Sequence, residues 1–355
     1  MIVIDGSYGE GGGQVLRTCL ALAAISGQAV RIERIRAGRH KPGLKPQHLT
    51  AVRAAAKICD AVVEGDKPDS QTLSFVPHSA PRAGTYTFDV SLAAKGGSAG
   101  AVSLIFQTVL PPLALAEGTS HLTFAGGTHV AWSPPFDYLK RVYLPTLARM
   151  GIRAKVNLEK WGWYPSGGGI VKATVEGRAG SQGLCGLDLM QRGKLQRVRG
   201  LSASSNLPKH IRERQAATVL QVLRSAGLNP RVDEIDAPSK GQSTAVFLWA
   251  ECDNALAGFT ALGERGKPAE QVAEEAARAL LAYVNSQAAL DRYRVDQLVL
   301  PLALASGPSH LATETVTQHL LTVAWAVCQF LPGRVRVEGT EGQQGVCHIS
   351  EGEAS

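Results

Sequence analysis

Apolar and polar residues along the chain follow two patterns, short strand-like runs and longer helical stretches. Residues 1–4 are an apolar run that predicts a strand, and the apolar positions within 15–25 predict a helix. Residues 28–37 alternate apolar and polar side chains, as a half-buried strand does. A second helix is predicted from about residue 46 to residue 60. The chain therefore begins with two strand–helix pairs, and Gly27 separates the first helix from the second strand.

A helix followed by a glycine and a strand occurs twice more. A glycine-rich turn at 95–100 precedes a predicted helix, after which come Gly118 and a strand at 120–125. Late in the chain, a predicted helix is again followed by Gly333 and a strand at 334–338. The spacing of these units is much longer than the repeat of a solenoid. They predict an α+β fold in which one domain contains three similar units.

Residues 184–283 follow a different pattern, with a long strand, a helix, further strands and a final helix. Pro208 and Pro268 stand at the predicted starts of these helices, where a first helical turn tolerates proline. The segment lies between the second and third units. It predicts a small α+β domain at 184–283, inserted into a main domain that comprises residues 1–183 and 284–355.

The composition, with 45% hydrophobic and 19% charged residues, is sufficient for one large core or two domains. No apolar run reaches the roughly 18–20 residues that cross a bilayer, so no membrane association is expected. The N-terminus lacks the pattern of a signal peptide. The six cysteines are scattered, without a C-x-x-C or a Cys/His cluster, and suggest neither zinc nor disulfides. A reducing, cytoplasmic location is therefore expected.

The net charge of +7 is concentrated in two stretches. Residues 31–57 hold eight lysines and arginines and one acidic residue, and residues 192–214 hold seven and one. Segregated positive charge favours a polyanionic partner, although a solvated basic face is the simpler alternative. Glycines and prolines between the cations of the first stretch favour a shaped phosphate-binding loop. The second stretch predicts either RNA contact or a plain domain surface.

The densest glycine cluster, at residues 6–13, lies between the first predicted strand and helix. Five glycines in so short a turn indicate unusual backbone angles or the close approach of another group. Free N–H groups at the following helix N-terminus favour an anion. The turn lacks the Gly-Lys-Ser/Thr of a P-loop, and Gln14 replaces the third glycine of a G-x-G-x-x-G frame. A tight turn and a phosphate or nucleotide site both stay open.

Among nine histidines, His319 stands out because it lies early in a predicted helix, after the polar stretch 313–318. Asp296 and Gln297 lie upstream, at the start of a strand-like run at 298–304. A neutral imidazole is a good nucleophile near neutral pH. The residues alone make His319 a candidate nucleophile, whereas most of the other histidines are expected to be structural or solvated.

Six segments, in order over nearly the full chain, resemble the RNA 3′-terminal phosphate cyclase family. They are GSYGEGGGQVLR, IRAGRHKPGLKPQHLTAV, KGGSAGAVSLIFQTVLPPL, GWYPSGGG, GFTALGERG, and DQLVLPLALA followed by TETVTQHLLT. The resemblance implies three repeated βαβαββ-type units, similar to those of enolpyruvyl transferases. It also implies that the small inserted α+β domain resembles the C-terminal domain of translation initiation factor three.

The resemblance implies a reaction in three steps. A histidine, here His319, attacks the α-phosphate of ATP in the presence of a divalent metal, Mg²⁺ or Mn²⁺. The AMP passes to an RNA with a 3′-terminal phosphate, and the vicinal 2′-OH then displaces AMP to leave a 2′,3′-cyclic phosphate. Adenylation provides the leaving group that a phosphate monoester lacks, and the vicinal hydroxyl reacts at high effective molarity.

The same resemblance implies roles for individual residues, although each has a structural alternative. Glu10 would bind the metal. The substrate phosphate would be held by Arg17, Arg36, Arg39, Gln47 and His48. The nucleotide would contact Gln14, Gln107, Pro134, Pro135, Tyr293, Asp296 and Gln297, with Tyr293 stacked on the adenine and a proline on its opposite face. A homodimer is a further prediction.

Two functions other than that of a cyclase are alternatives. The first is a non-catalytic cyclase-like protein in ribosome assembly, and the retained Glu10, Arg17, Arg36 and His319 argue against it because a scaffold needs no nucleophile. The second is an enolpyruvyl transferase of related fold. The basic surface and the stretch DQLVLPLALA…QHLLT argue against a transferase.

Overall fold

The computed structural model describes residues 1–93, 98–178 and 183–351, and within these ranges the chain forms four four-stranded sheets. Lys95, Gly96 and Gly97 of the predicted second glycine-rich turn lie outside the described residues. Among the described residues, no helix has the length and apolar character needed to cross a membrane.

The first unit has the order strand, helix, strand, helix, strand, strand. Its elements are β1 (Ile2–Asp5), α1 (Gly13–Ser26), β2 (Val30–Glu33), α2 (Pro46–Cys59), β3 (Val62–Glu64) and β4 (Leu73–Val76). The sheet order is β1-β2-β4-β3, with β1 parallel to β2 and the other neighbours antiparallel. Gly27 ends α1 with a φ of 71°, a left-handed conformation that glycine adopts without steric cost.

The second unit repeats this order and pairing. Its elements are β5 (Thr85–Asp89), α3 (Val102–Leu115), β6 (Thr119–Gly126), the short helices α4 (Phe136–Tyr138) and α5 (Leu144–Arg149) joined by a π-helical turn (Leu139–Tyr143), β7 (Arg153–Lys160) and β8 (Gly169–Glu176). The sheet order is β5-β6-β8-β7, and β5 is parallel to β6. The strand order of the first sheet is thus reproduced.

The third unit begins with β9 (Asp188–Leu189), after which the chain enters a separate sheet. That separate unit contains β10 (Leu195–Ser205), α6 (Lys209–Ser225), β11 (Arg231–Asp236), β12 (Ser243–Cys252), β13 (Leu256–Leu262) and α7 (Ala269–Ser286). Its order, β11-β10-β12-β13, differs from that of the three repeats. It is therefore an α+β insertion of its own architecture.

The third unit then continues with α8 (Arg294–Ala303), β14 (Ser309–Thr313), α9 (Gln318–Cys328), β15 (Val335–Glu338) and β16 (Gly345–Ile349). Its sheet order is β9-β14-β16-β15, with β9 parallel to β14. The prediction of an α+β fold with three βαβαββ units and a small inserted α+β unit is confirmed. The domain limits at 183/184 and 283/284 stay predictions, and the pairing of β9 with β14 joins residues 188–189 to the third sheet.

One predicted element is wrong, because residues 298–303 of the strand-like run at 298–304 belong to helix α8, and Leu304 is its C-cap residue. Leu298, Val299 and Leu300 are all buried, so apolar residues cover more than one side of this helix. A short apolar run without periodicity does not distinguish a buried helix from a buried strand.

The helices of the three units pack on one another in the main core. Helix α1 contacts α2, α3 and α9, while α8 contacts α9. The inserted sheet has its own core against α6 and α7, whereas Leu201 and Phe247 of that sheet join the main core. Because α1 and α9 are neighbours, residues near their N-terminal ends meet although they are far apart in sequence.

Candidate active site

The glycine-rich loop between β1 and α1 fits closely between neighbouring helices. Gly9 and Gly11 have φ of 64° and 56°, the left-handed region that glycine tolerates. A β-carbon at Gly9 would overlap the Thr322 hydroxyl of α9, and one at Gly13 would overlap His48 Nε2 of α2. The loop therefore depends on glycine for contact with both helices.

No side chain of the N-cap residue caps the N-terminus of α1. Gly12 is the N-cap residue and provides no side-chain cap, and no acidic residue lies in the first turn. A β-carbon at Gly13 would lie 2.7 Å from Arg17 Nη1, and one at Gly12 would lie 3.1 Å from Arg39 Nη2. Uncapped N–H groups beside two guanidinium groups could bind a phosphate.

His319 lies at the start of α9, where the Thr317 side chain caps the helix by accepting a hydrogen bond from Leu320 N at 3.1 Å. Its Nδ1 lies 3.0 Å from Gln14 Oε1, and its Nε2 lies 3.2 Å from Glu10 Oε2. The side chain is 42% exposed, so an incoming phosphate can reach it. The structure thus brings His319 of the third unit to Glu10 and Gln14 of the first.

Glu10 lies between two cationic or potentially cationic groups. Arg39 Nη2 donates to Glu10 Oε2 at 2.8 Å, and the same oxygen faces His319. Within the described ranges, no three His, Cys, Asp or Glu side chains gather as a metal site. Glu10 could therefore serve as a single protein carboxylate for a metal whose other ligands come from phosphate and water.

Burial is the main cause that lowers the pKa of His319. Arg17 and Arg39 lower this pKa further, while Glu10 raises it. The net direction favours a neutral imidazole near pH 7, which has a lone pair available for nucleophilic attack.

His48 is buried, and its pKa is held well below the usual value, first by burial and then by Arg17, Arg36 and Lys45. Its Nδ1 accepts a hydrogen bond from Lys45 N at 3.2 Å. The neutral ring therefore carries its proton on Nε2, the atom that faces Gly13. This nitrogen can donate to an anion at the N-terminus of α1.

Arg36 and Gln47 bond to backbone groups around the site. Arg36 Nη1 donates to the carbonyls of Lys41 at 2.7 Å and Gly43 at 2.9 Å, so it shapes the basic loop. Gln47 Oε1 accepts from Ala101 N at 3.1 Å and links α2 to the second unit. Burial lowers the pKa of Arg36, and nearby Arg39 lowers it further.

The predicted nucleotide contacts form a polar line along the start of α8. Gln107 Nε2 donates to Gln297 Oε1 at 2.7 Å, and Gln297 Nε2 donates to Tyr293 O at 2.5 Å. Tyr293 is 55% exposed, so its side chain could be reached by a base. Gln107 belongs to the second unit and Gln297 to the third, so this line crosses a boundary between units.

Asp296, in the first turn of α8, is buried beside Gln14 and Arg17. Burial raises its pKa to about 7, while Gln14 and Arg17 act in the opposite direction. Burial also lowers the pKa of Arg17 to about 10, an effect that Asp296 opposes. Asp296 thus lies close to Gln14, whose amide oxygen contacts His319.

Pro134 is half-buried, and buried Pro135 forms the N-cap of α4. Their position opposite the Tyr293 ring stays a prediction.

Sequence reasoning missed several residues that support the site. Buried Asp291 accepts hydrogen bonds from Tyr138 OH at 3.1 and 3.2 Å and from Tyr293 N at 3.0 Å. It thereby holds the turn that carries Tyr293. Tyr8 of the glycine-rich loop stacks on Trp325 at 4.0 Å between ring centroids. Trp325 could have been placed near the loop from its helical spacing to Gln318 and Thr322, both of which lie by Gly9.

Comparison with known proteins gives one consistent result. A family model described as RNA 3′-terminal phosphate cyclase matches residues 8–337. An RNA 3′-terminal phosphate cyclase of Methylococcus capsulatus is 53% identical over 98% of this chain and 96% of its own length. Proteins of that name from Trichormus variabilis and Pyrococcus furiosus are 50% and 39% identical, each over at least 96% of both chains.

Proposed function

The chain belongs to the RNA 3′-terminal phosphate cyclase family, and from this premise we propose that it uses ATP to convert an RNA 3′-terminal phosphate into a 2′,3′-cyclic phosphate. The observation that carries the proposal is the position of His319. Its imidazole contacts Glu10 and Gln14 beside the uncapped N-terminus of α1. A nucleophile, a carboxylate and an anion-binding helix end therefore share one site.

In the first step, His319 Nε2 attacks the α-phosphate of ATP. A P–N bond forms, the bond to the bridging oxygen breaks, and pyrophosphate leaves. The lowered pKa of His319 supports this role, because an imidazolium has no lone pair to donate. The product is a phosphoramidate on the protein.

The phosphates would be bound by the N-terminus of α1, the Nε2–H of His48 and the guanidinium groups of Arg17 and Arg39. The absence of β-carbons at Gly12 and Gly13 supports this, because it leaves space between these donors. Glu10 would hold Mg²⁺ or Mn²⁺, which neutralises phosphate charge when bound. Arg39, now paired with Glu10, could then turn to a phosphate.

In the second step, a phosphate oxygen of the RNA 3′ end attacks the phosphorus of the adenylate, which forms RNA(3′)pp(5′)A and returns the lone pair to His319. The vicinal 2′-OH then attacks the 3′-phosphorus, loses its proton and displaces AMP. Arg36 and Arg39 would hold the RNA phosphate with bidentate donors, and Arg39 lies close enough to Arg36 to lower its pKa. Tyr293 would stack on adenine.

The test is incubation with ATP labelled at the α-phosphate and Mg²⁺. We expect a covalent protein adenylate that acid breaks and alkali leaves intact, as for a phosphoramidate. His319→Ala should abolish the label, whereas His121→Ala, which changes an exposed histidine of β6, should retain it. An unlabelled wild type, or a labelled His319→Ala variant, would contradict the mechanism. The first of these results would favour the non-catalytic cyclase-like alternative.

We also propose a cytoplasmic location, which the six free cysteines support, since thiols stay reduced there. The homodimer stays a prediction that the molecular mass in solution would test.

A further inference from the structure

We propose that Asp296 acts through Gln14 as a positioning residue, orienting the Gln14 amide so that His319 keeps its proton on Nδ1 and presents the Nε2 lone pair to the phosphate. This inference rests on the proposed function. Family resemblance implies that Asp296 and Gln14 contact the nucleotide. The inference differs, because it gives these two residues the role of orienting His319.

The two ring nitrogens of His319 have different neighbours. Nδ1 lies 3.0 Å from the Gln14 amide oxygen, and Nε2 lies 3.2 Å from Glu10. A neutral imidazole carries one N–H and one lone pair, and an amide oxygen only accepts. The proton therefore belongs on Nδ1, and the nucleophilic nitrogen is Nε2 on the open, Glu10 side of the ring.

The orientation of Gln14 needs a cause, because the two ends of an amide have nearly the same shape and opposite hydrogen-bonding character. The Asp296 carboxyl lies beside Gln14, is 9% exposed, and has one oxygen, Oδ1, without a hydrogen-bond partner among the described residues. A carboxylate only accepts, so it favours the NH₂ end of Gln14. The amide oxygen is thereby left for His319.

Burial and Asp291 raise the pKa of the Asp296 carboxyl to about 7, while Gln14 and Arg17 oppose them, so Asp296 is mostly ionised, and only an acceptor, above that pH. The resulting order is Arg17, Asp296, Gln14, His319, in which Gln14 and His319 are within hydrogen-bond distance and Arg17 and Gln14 both lie close enough to Asp296 to lower its pKa. When Nε2 bonds to phosphorus, the ring becomes positive and its Nδ1–H becomes a stronger donor. The contact to Gln14 therefore stabilises the transition state more than bound ATP.

The test measures the rate and ATP dependence of protein adenylation in single turnovers. Asp296→Asn removes the preference for the NH₂ end, and we expect the maximal rate to fall by about tenfold to hundredfold, the range for a hydrogen bond to a charged group. The ATP concentration for half-maximal rate should change by less than about twofold. The double variant Gln14→Glu/Asp296→Asn keeps the net charge and restores an acceptor for Nδ1–H, so it should recover most of the rate.

Gln14→Met provides an independent test if Asp296→Asn folds poorly, since methionine has a similar length and Gln14 is not fully buried. It should lose a similar factor, and adding Asp296→Asn should cause little further loss. If Asp296→Asn instead raises the ATP concentration for half-maximal rate, and Gln14→Glu/Asp296→Asn recovers no activity, Asp296 belongs to nucleotide binding and the inference is overturned. An unchanged Asp296→Asn rate would also overturn it. A wild type that forms no adenylate would instead refute the proposed function.

Discussion

Replacement of Gly9 by alanine tests how tightly the glycine-rich loop sets the position of Glu10. Gly9 has a φ of 64°, where a side chain costs about 1–2 kcal/mol. The new β-carbon would also overlap Thr322 Oγ1 and lie 3.2 Å from Thr322 Cβ. The loop must therefore shift away from α9, and Glu10, the next residue, must move away from His319. A displacement of about 1 Å can reduce a rate about hundredfold.

We expect Gly9→Ala to lower the adenylation rate by about hundredfold and the melting temperature by a few degrees, at roughly 2–4 °C per kcal/mol. Thr322→Ala removes the overlapping hydroxyl, which otherwise donates to Gln318 O at 2.6 Å. This change alone should have a small effect on the rate. Combined with Gly9→Ala, it should restore at least tenfold of the lost rate but leave the backbone cost in place.

The assay is single-turnover labelling with ATP, with thermal unfolding measured in parallel. Normal adenylation by Gly9→Ala would refute the reasoning that contact between the loop and α9 positions Glu10. Failure of Thr322→Ala to restore the rate would show that backbone strain, and not the clash with α9, causes the loss.

Two further predictions concern Arg36 and Asp291. Arg36→Ala should reduce kcat/KM for RNA with a 3′-phosphate about tenfold or more, and it should lower the melting temperature only by the few degrees that loss of its bonds to Lys41 O and Gly43 O costs. Arg31→Ala, which changes the exposed partner of Glu33, should retain activity. A loss of activity no larger than the loss of stability explains would contradict a phosphate role. Burial raises the pKa of Asp291 to about 6 from 3.8, so the folded state binds more protons and this carboxyl costs stability as pH rises through about 4 to 6. The free energy of unfolding in urea should therefore rise for Asp291→Asn relative to wild type between pH 4 and pH 7.5. The gain should reach up to about 3 kcal/mol, at about 1.4 kcal/mol per pKa unit. If the difference in free energy between variant and wild type is the same at both pH values, the pKa of Asp291 is not raised.

Local sequence patterns predicted most of the fold, because the helices, turns and strands of each repeated unit are marked by residues close together in the sequence. A glycine after each of three helices and the alternation of the following strands gave the three units, and the structure confirms their βαβαββ order. The strand predicted at 298–304 was wrong because α8 is apolar on more than one side. Burial on several sides is a property of the packed molecule, and a short segment carries no periodicity that records it.

The sequence by itself predicted the repeated architecture, marked the glycine-rich loop as a candidate anion site and, through family resemblance, named the types of residue expected in the site. Only the tertiary structure decided which side chains meet. Gln14 and His319 are 305 positions apart and become neighbours because α1 packs on α9. Gln107 and Gln297 meet across 190 positions for the same reason, the packing of different units. Such contacts depend on the relative placement of whole helices, which depends on the entire core and leaves no mark in the spacing of residues along the chain.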